Sequence, residues 1–237
     1  MDRRGREVEV DYIAKIGKEF GSDLYMVRND FIFLKREWKV YRSLFGTNPE
    51  RVNLLNEVSG QFSWLLERTL FESVVLGLCR ITDPPETGQG DKIKENMTIG
   101  RLRRHIEPRE DCQKLKFAEF IKKIDNAAVF ARDWRNRKIA HNDYFIRTGA
   151  KPLKDASREK IAKLVDAIET CLKWLHVEFL ETELSFDVGQ PDPDETDVLA
   201  CLYRGLDAQK AERGQIERAR KAGDYTSREA PLPDWLR

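Results

Sequence analysis

The chain has 237 residues, enough to bury a substantial core as one domain or as one domain with an appendage. Its 42 Lys and Arg against 41 Asp and Glu give a formal net charge of +1, so no global field draws the whole protein onto nucleic acid, and polyanion binding would have to rest on a local patch. No stretch approaches the roughly 20 apolar residues of a membrane span, and the opening MDRRGREVEV lacks an apolar leader core, so the expectation is a soluble cytoplasmic protein with no membrane partner.

In chain order, the first dozen residues read as mobile or as a short docking helix. Prolines at 49, 84, 85, 108, 152, 191, 193, 231 and 233 leave long proline-free stretches between them in which helices are permitted. Leu24, Val27, Phe31, Leu34, Trp38, Tyr41 and Phe45 recur in threes and fours and predict an amphipathic helix, with Ser22 as its cap. Phe62, Leu66, Leu70, Val74, Leu78 and Ile81 draw a second stripe, ended by the DPP at Asp83–Pro85. From Thr82 to Asn96 the chain is rich in Gly, Pro and charge and reads as a loop. Phe117, Phe120, Ile121, Ile124, Ala128, Ala131 and Trp134 form a third stripe, and Ile161, Leu164, Val165, Ile168, Leu172, Leu175 and Phe179 a fourth, entered through Ser157 as N-cap. DVGQPDPDET after Phe186 reads as a linker, and Val198, Leu199, Leu202 and Leu206 give the tail a modest helical pattern before a polar, partly disordered end. No segment keeps a period of two. The reading is all-α: an up-and-down four-helix bundle with extra short helices over residues 1–186, then a linker and C-terminal tail over 187–237.

Several tempting motifs carry little. Cys79, Cys112, Cys171 and Cys201 lie far apart in apolar surroundings, as buried thiols do in a reducing compartment, and suggest neither a disulfide nor a zinc framework. Gly88–Gly90 has no preceding strand and no following Gly-Lys-Ser/Thr, so it is a loop and not a phosphate cradle. His105 and His176 lack metal-ligand spacing and read as structural or solvent-facing, and no metal or other cofactor is implied. The basic runs Arg101–His105 and Arg218–Lys221 are potential RNA contacts, but each reads first as an exposed helix surface.

The segment RNRKIAHND, Arg135 to Asp143, places one of only three histidines just beyond fixed positive charge. In one regular helix, at about 100° per residue, His141 shares a face with Phe130, Trp134 and Arg137 while Arg135 points about 120° away. Asn and Asp favour turns and helix ends, so a break that lets Arg135 and His141 converge is equally compatible with the residues.

RNRKIAHND resembles the Arg-x(4–6)-His signature of the HEPN superfamily, with Arg135 as the arginine, Asn136 as the polar residue that follows it, and His141 as the histidine. LCRITDPP to NMTIGRL, containing Arg80 and Asp83 at the end of the second helix, resembles the branch related to U-type abortive-infection (AbiU-like) proteins. The resemblance covers about residues 22 to 184. It implies metal-independent RNA cleavage by a homodimer, two copies of the motif facing each other, in bacterial phage defence or a toxin-antitoxin pair with an antitoxin or other regulatory partner. Arg135 and His141 are then catalytic, and Asn136, Arg137, Asp143, Tyr144, Arg80 and Asp83 support them or bind RNA. The residue types suit that chemistry. RNA carries its own nucleophile, a histidine near neutrality moves its proton, and an arginine offers a permanently charged fork to phosphate oxygens. Where many HEPN toxins continue His-x-Tyr, this chain has Asp143 with Tyr144 one residue later, and Asp143 is placed either to pair with an arginine of the motif or to orient His141. Two alternatives stand beside the nuclease: a catalytically inactive nucleotide-binding, RNA-binding or interaction module, and a scaffold in which Arg135 pairs with an acid across the bundle while His141 packs on Trp134.

Overall fold

The computed structural model describes residues 3–141, 143–186, 194–231 and 233. The chain is all-α. Its helices are α1 (Arg3–Ile16), α2 (Lys18–Tyr41), α3 (Pro49–Thr82), α4 (Arg103–Ile106), α5 (Asp111–Trp134), α6 (Tyr144–Arg147), α7 (Arg158–Leu180) and α8 (Glu195–Lys221). It divides into two compact units, Met1–Tyr41 with Arg68–Gly189 and Arg42–Glu67 with Gln190–Arg237. Arg42–Glu67 belongs to the second unit together with the C-terminal tail. Residues 187–193 of the expected linker lie outside the described residues.

In the first unit, α2, the C-terminal part of α3, α5 and α7 form the bundle. Lys35 of α2 meets Glu169 of α7 at 2.6 Å while Phe20 meets Phe179, so the two helices run antiparallel. Gln113 at the start of α5 reaches Glu178 at the end of α7, and Ser73 of α3 donates to Glu37 of α2 while Gly77 faces Leu34, giving the same relation in each pair. Successive bundle helices therefore alternate in direction. The four apolar stripes form the core: Leu24, Phe31, Val74, Leu78, Phe117, Ile124, Ile161 and Leu172 are at most 1 % exposed. α3 breaks at Ser59 (φ −166°, ψ 101°), whose hydroxyl accepts from Phe62 N–H, and Phe62, the first residue of the second stripe, is exposed, so the buried part of that stripe begins later. Phe45, read as the end of the first helix, sits beyond it in a π-helical turn, Arg42–Gly46. The loop after α3 holds a minimal antiparallel ribbon, Glu86–Thr87 on Lys94–Glu95.

The N-terminal residues form a full helix. Gly17, with φ +90°, turns the chain from α1 into α2, and at Gly21 a β-carbon would lie 2.7 Å from Ile13 N, so only glycine permits this corner. Ser22 accordingly lies inside α2, where it donates to Glu9 of α1 instead of capping. His176 closes the contact with α7. A carbonyl only accepts, so its Nδ1 donates to Leu172 O at 2.7 Å, and the Tyr12 hydroxyl donates to Nε2 at 2.6 Å. Burial holds His176 down to about 4, with Arg28 adding to the effect, and burial also raises Tyr12. Ser157 caps α7 by accepting from Lys160 N–H, as the sequence predicts.

The second unit comprises the Arg42–Gly46 turn, the first part of α3, and α8. The weak tail pattern is realised as a 27-residue helix with a capping box, Asp194 with Asp197. Lys210 pairs with Glu57, and Leu54, Leu199, Tyr203 and Leu206 line a cleft of about 540 Å³. After α8 the chain turns back along it through Arg213–Glu229 and Ala230 N–H to Glu212. Of the cysteines, Cys79 and Cys171 are buried as expected, whereas Cys112 in the first turn of α5 and Cys201 on α8 are exposed, contrary to the expectation of four buried thiols. No helix among the described residues is long and apolar enough to cross a membrane.

Two outcomes follow from the corner and from His176. Gly21→Ala forces its new methyl against the backbone of α1 and lowers stability by roughly 1–3 kcal/mol in a denaturant titration; a neutral result would show that the corner relaxes freely. His176 is neutral when folded and protonates below about 6.5 when unfolded, so its contribution is present above pH 6.5 and is lost as pH falls towards 4. Between pH 7 and 4 the wild type should therefore lose roughly 3 kcal/mol more than His176→Gln, and equal losses would refute the linkage.

Candidate active site

α5 ends at Trp134 and opens into a π-helical turn, Arg135–Ile139, before a short coil reaches α6. The single regular helix from Val129 to Phe145 does not form. The Ala140 N–H donates to Arg135 O at 2.8 Å, so His141 follows directly on a residue hydrogen-bonded back to the Arg135 peptide. Neighbouring chain supports the turn. Trp134 Nε1 donates to Lys154 O, Lys154 N–H donates to Asp133, and the Lys138 ammonium lies 4.2 Å from the centre of the Trp134 ring.

Arg135 does not extend freely. Its Nη1 donates to Asp83 Oδ2, just past α3, and its Nε donates to Asn136 Oδ1 at 2.9 Å. Asp83 has a second cation nearby, Arg132, one turn before Arg135 on α5, whose Nε is 3.8 Å from Asp83 Oδ1. Arg132 also donates to Thr82 O and, at 2.8 Å, to Asp125. Beside this group lies a cleft of about 500 Å³ whose lining includes Ile121, Ile124, Arg101, Arg103, Asp125 and Arg132. Cys79, one turn before Asp83, is pushed up to about 11 by burial and stays a protonated thiol at neutral pH.

Arg137 has the opposite situation. Its guanidinium donates to Asp143, Asp133, Lys151 O and Pro152 O, which leaves little to offer RNA backbone. Asp143 takes the first of its two expected roles. It pairs with Arg137 at 3.2 Å and caps α6, accepting from Phe145 and Ile146 N–H. Partial desolvation works against its carboxylate, yet the Arg137 and backbone donors hold it below the usual range.

His141 is exposed and makes no hydrogen bond among the described residues; the Trp134 ring is occupied by Lys138 and not by His141. Tyr144 is 72 % exposed. Arg80 is exposed on α3, where its charge acts on Asp30 of α2, and it makes no ion pair with the Asp83 group. The structure thus brings together Asp83, Arg135 and Asn136, joins Arg137 to Asp143 separately, and leaves His141 and Tyr144 in solvent. Arg132, Asp133 and Asp125 were not singled out in the sequence. The i, i+3 spacing of Arg132 and Arg135 marks Arg132 as a neighbour, but nothing in the sequence shows that both share one carboxylate.

The basic run at Arg101–His105 is not the free surface expected of it. Asp23, buried in α2, accepts from Arg101 and, at 2.9 Å, from Arg104, and lies 2.8 Å from His105 Nε2, whose ring stacks on Phe20. Arg218, Arg220 and Lys221 remain on the exposed side of α8. Among the described residues no three His, Cys, Asp or Glu side chains gather as a metal ion would require.

Asp143→Ala should raise hydrogen exchange at the Phe145 and Ile146 amides while leaving α7 protected. Unchanged exchange at those two amides would show that α6 does not depend on its cap.

Compared with known proteins, the chain matches the family model HEPN AbiU2 over residues 18–199. No curated protein and no solved structure matches it.

Proposed function

The chain belongs to the HEPN AbiU2 family, and on that premise we propose that it is a metal-independent endoribonuclease of an abortive-infection system, acting as a homodimer that apposes two Arg135/His141 motifs. The observation that carries this reading is the break after α5. It ties the chain before His141 back to the Arg135 peptide and leaves the exposed His141 imidazole without a hydrogen bond among the described residues, while Asn136 accepts from the Arg135 guanidinium.

In the proposed reaction the 2′-oxygen of RNA attacks the adjacent phosphorus and the bond from phosphorus to the 5′-oxygen breaks. His141 of one protomer takes the 2′-hydroxyl proton, and His141 of the other delivers a proton to the departing 5′-oxygen. Arg135 binds the phosphate oxygens on which charge accumulates, using a planar fork that stays charged throughout. The products are a 2′,3′-cyclic phosphate and a 5′-hydroxyl. Asn136 positions Arg135, Tyr144 is exposed for base stacking, and an antitoxin or other regulatory protein keeps the activity in check until infection. One observation favours the second reading, an inactive RNA-binding or interaction module: the guanidinium that would meet phosphate is already paired with Asp83.

Cleavage of total and transfer RNA in excess EDTA separates the two. The wild type should cleave. His141→Ala should lose about 10²- to 10⁴-fold in rate and Arg135→Ala about 10²- to 10³-fold, with both variants still melting cooperatively. A wild type that binds RNA without cleaving it, with binding weakened by the same substitutions, would establish the inactive module instead.

A further inference from the structure

We propose that Arg132 is a positioning residue that exchanges with Arg135 on Asp83, closing on the carboxylate as Arg135 leaves it for an RNA phosphate. Two unsatisfied atoms carry this inference. Asp83 Oδ1 and Arg132 Nε are both buried, neither has a hydrogen-bond partner, and they face each other at 3.8 Å. The other carboxylate oxygen, Oδ2, accepts from Arg135. A movement of roughly 0.9 Å would bring the orphan donor and orphan acceptor to an ordinary N–H···O distance. Nη2 holds the Arg132 guanidinium in place for that movement by donating to Thr82 O and to Asp125, while Nε is buried without a hydrogen-bond partner.

The exchange answers a difficulty of the Asp83–Arg135 pair. Asp83 is only 19 % exposed, and removing its cation would leave a poorly solvated carboxylate without a partner, which is costly. With Arg132 ready to close, Asp83 keeps one full ion pair in either state, and Arg135 becomes available to a competing anion such as a phosphodiester. Arg132 itself does not touch the reacting atoms. Its effect on Arg135 passes through Asp83, so it must vanish when Asp83 loses its charge.

The catalytic consequence rests on the nuclease reading; the test of the exchange does not. Phenylglyoxal attacks unpaired guanidinium groups, and peptide mass spectrometry of the full chain gives the reaction rate of Arg135 without RNA. Relative to wild type, Asp83→Asn should speed modification of Arg135 several-fold, and Arg132→Gln should slow it several-fold, because Asp83 then holds Arg135 as its only contact cation. In Asp83→Asn the added Arg132→Gln should have no further effect. Arg132→Lys, which keeps the charge without a guanidinium Nε, should fall between wild type and Arg132→Gln, and a thermal melt of each variant identifies any that fail to fold. An Arg135 rate that ignores Arg132→Gln in a folded protein, or an effect that persists when Asp83 is Asn, overturns the exchange. Cleavage of RNA in excess EDTA by the same variants, read beside the modification rates, tests the nuclease separately. Exchange without RNA binding or cleavage would refute the nuclease alone, whereas cleavage dependent on Arg135 with reactivity indifferent to Arg132 would refute the exchange alone.

Discussion

Asp83 is the one carboxylate on which the candidate site depends. It follows the last turn of α3, its amide donating to Cys79 O, and so its position is set by a helix whose last turns are core. Across from it, the last turn of α5 presents Arg132 and the π-helical turn that follows presents Arg135 three residues later, the spacing that puts two side chains on neighbouring parts of one helix face. A single partly buried anion with two cations defines where α5 can stop, because the next residues must turn while Arg135 still reaches back. The π-helical turn meets that demand: it lengthens the hydrogen-bonded span by one residue and delivers His141 outside the helix, with the Arg135 peptide as its anchor.

The two arginines of the motif separate by how fully their donors are used. Arg137 spends its donors on two carboxylates and two carbonyls, and in doing so fastens the segment from Asp143 to Pro152 against the end of α5. Arg135 has two partners, Asp83 and Asn136, and is 27 % exposed. A guanidinium with four fixed acceptors is a clamp, whereas one with a single, shared carboxylate can transfer to a phosphate. Asp143 belongs with the clamp. By capping α6 while pairing Arg137, it keeps this chain's departure from the His-x-Tyr pattern from being a loss of order.

The bundle was legible because its signal is periodic. Leu24 to Tyr41, Phe117 to Trp134 and Ile161 to Phe179 place an apolar residue every three or four positions, and burial follows that spacing closely. Features set by one residue's conformation or by pairing across long sequence distances were not legible. Gly17 bends the chain into α2 through a positive φ that composition does not announce, and so Ser22 was read as a cap although it lies inside the helix. Ser59 interrupts α3 without a proline, and Phe62, the first residue of the second stripe, lies exposed just beyond that break. The run at Arg101–His105 looked like free charge because its counterion, Asp23, is some eighty residues earlier. In the site, Arg135, Asn136 and Asp83 came from motif resemblance, while Arg132 needed the distance to Asp83 that only the fold supplies.

The three histidines show how environment separates roles that residue type cannot. His176 lies in the core, with both ring nitrogens committed to Leu172 O and Tyr12, and burial keeps it neutral well below the pH at which an imidazole would serve in proton transfer. His105 stacks on Phe20 and contacts Asp23, so its nitrogen is part of a charge cluster between α2 and α4. His141 alone is exposed, without a hydrogen bond among the described residues and next to a residue bonded to Arg135. A proton carrier must meet its substrate before it is committed elsewhere, and of the three imidazoles only that of His141 satisfies the condition. Arg101 and Arg104 are held on Asp23 and Arg137 on Asp133 and Asp143, whereas Arg135 shares Asp83 with an Arg132 whose Nε stands 3.8 Å from the carboxylate.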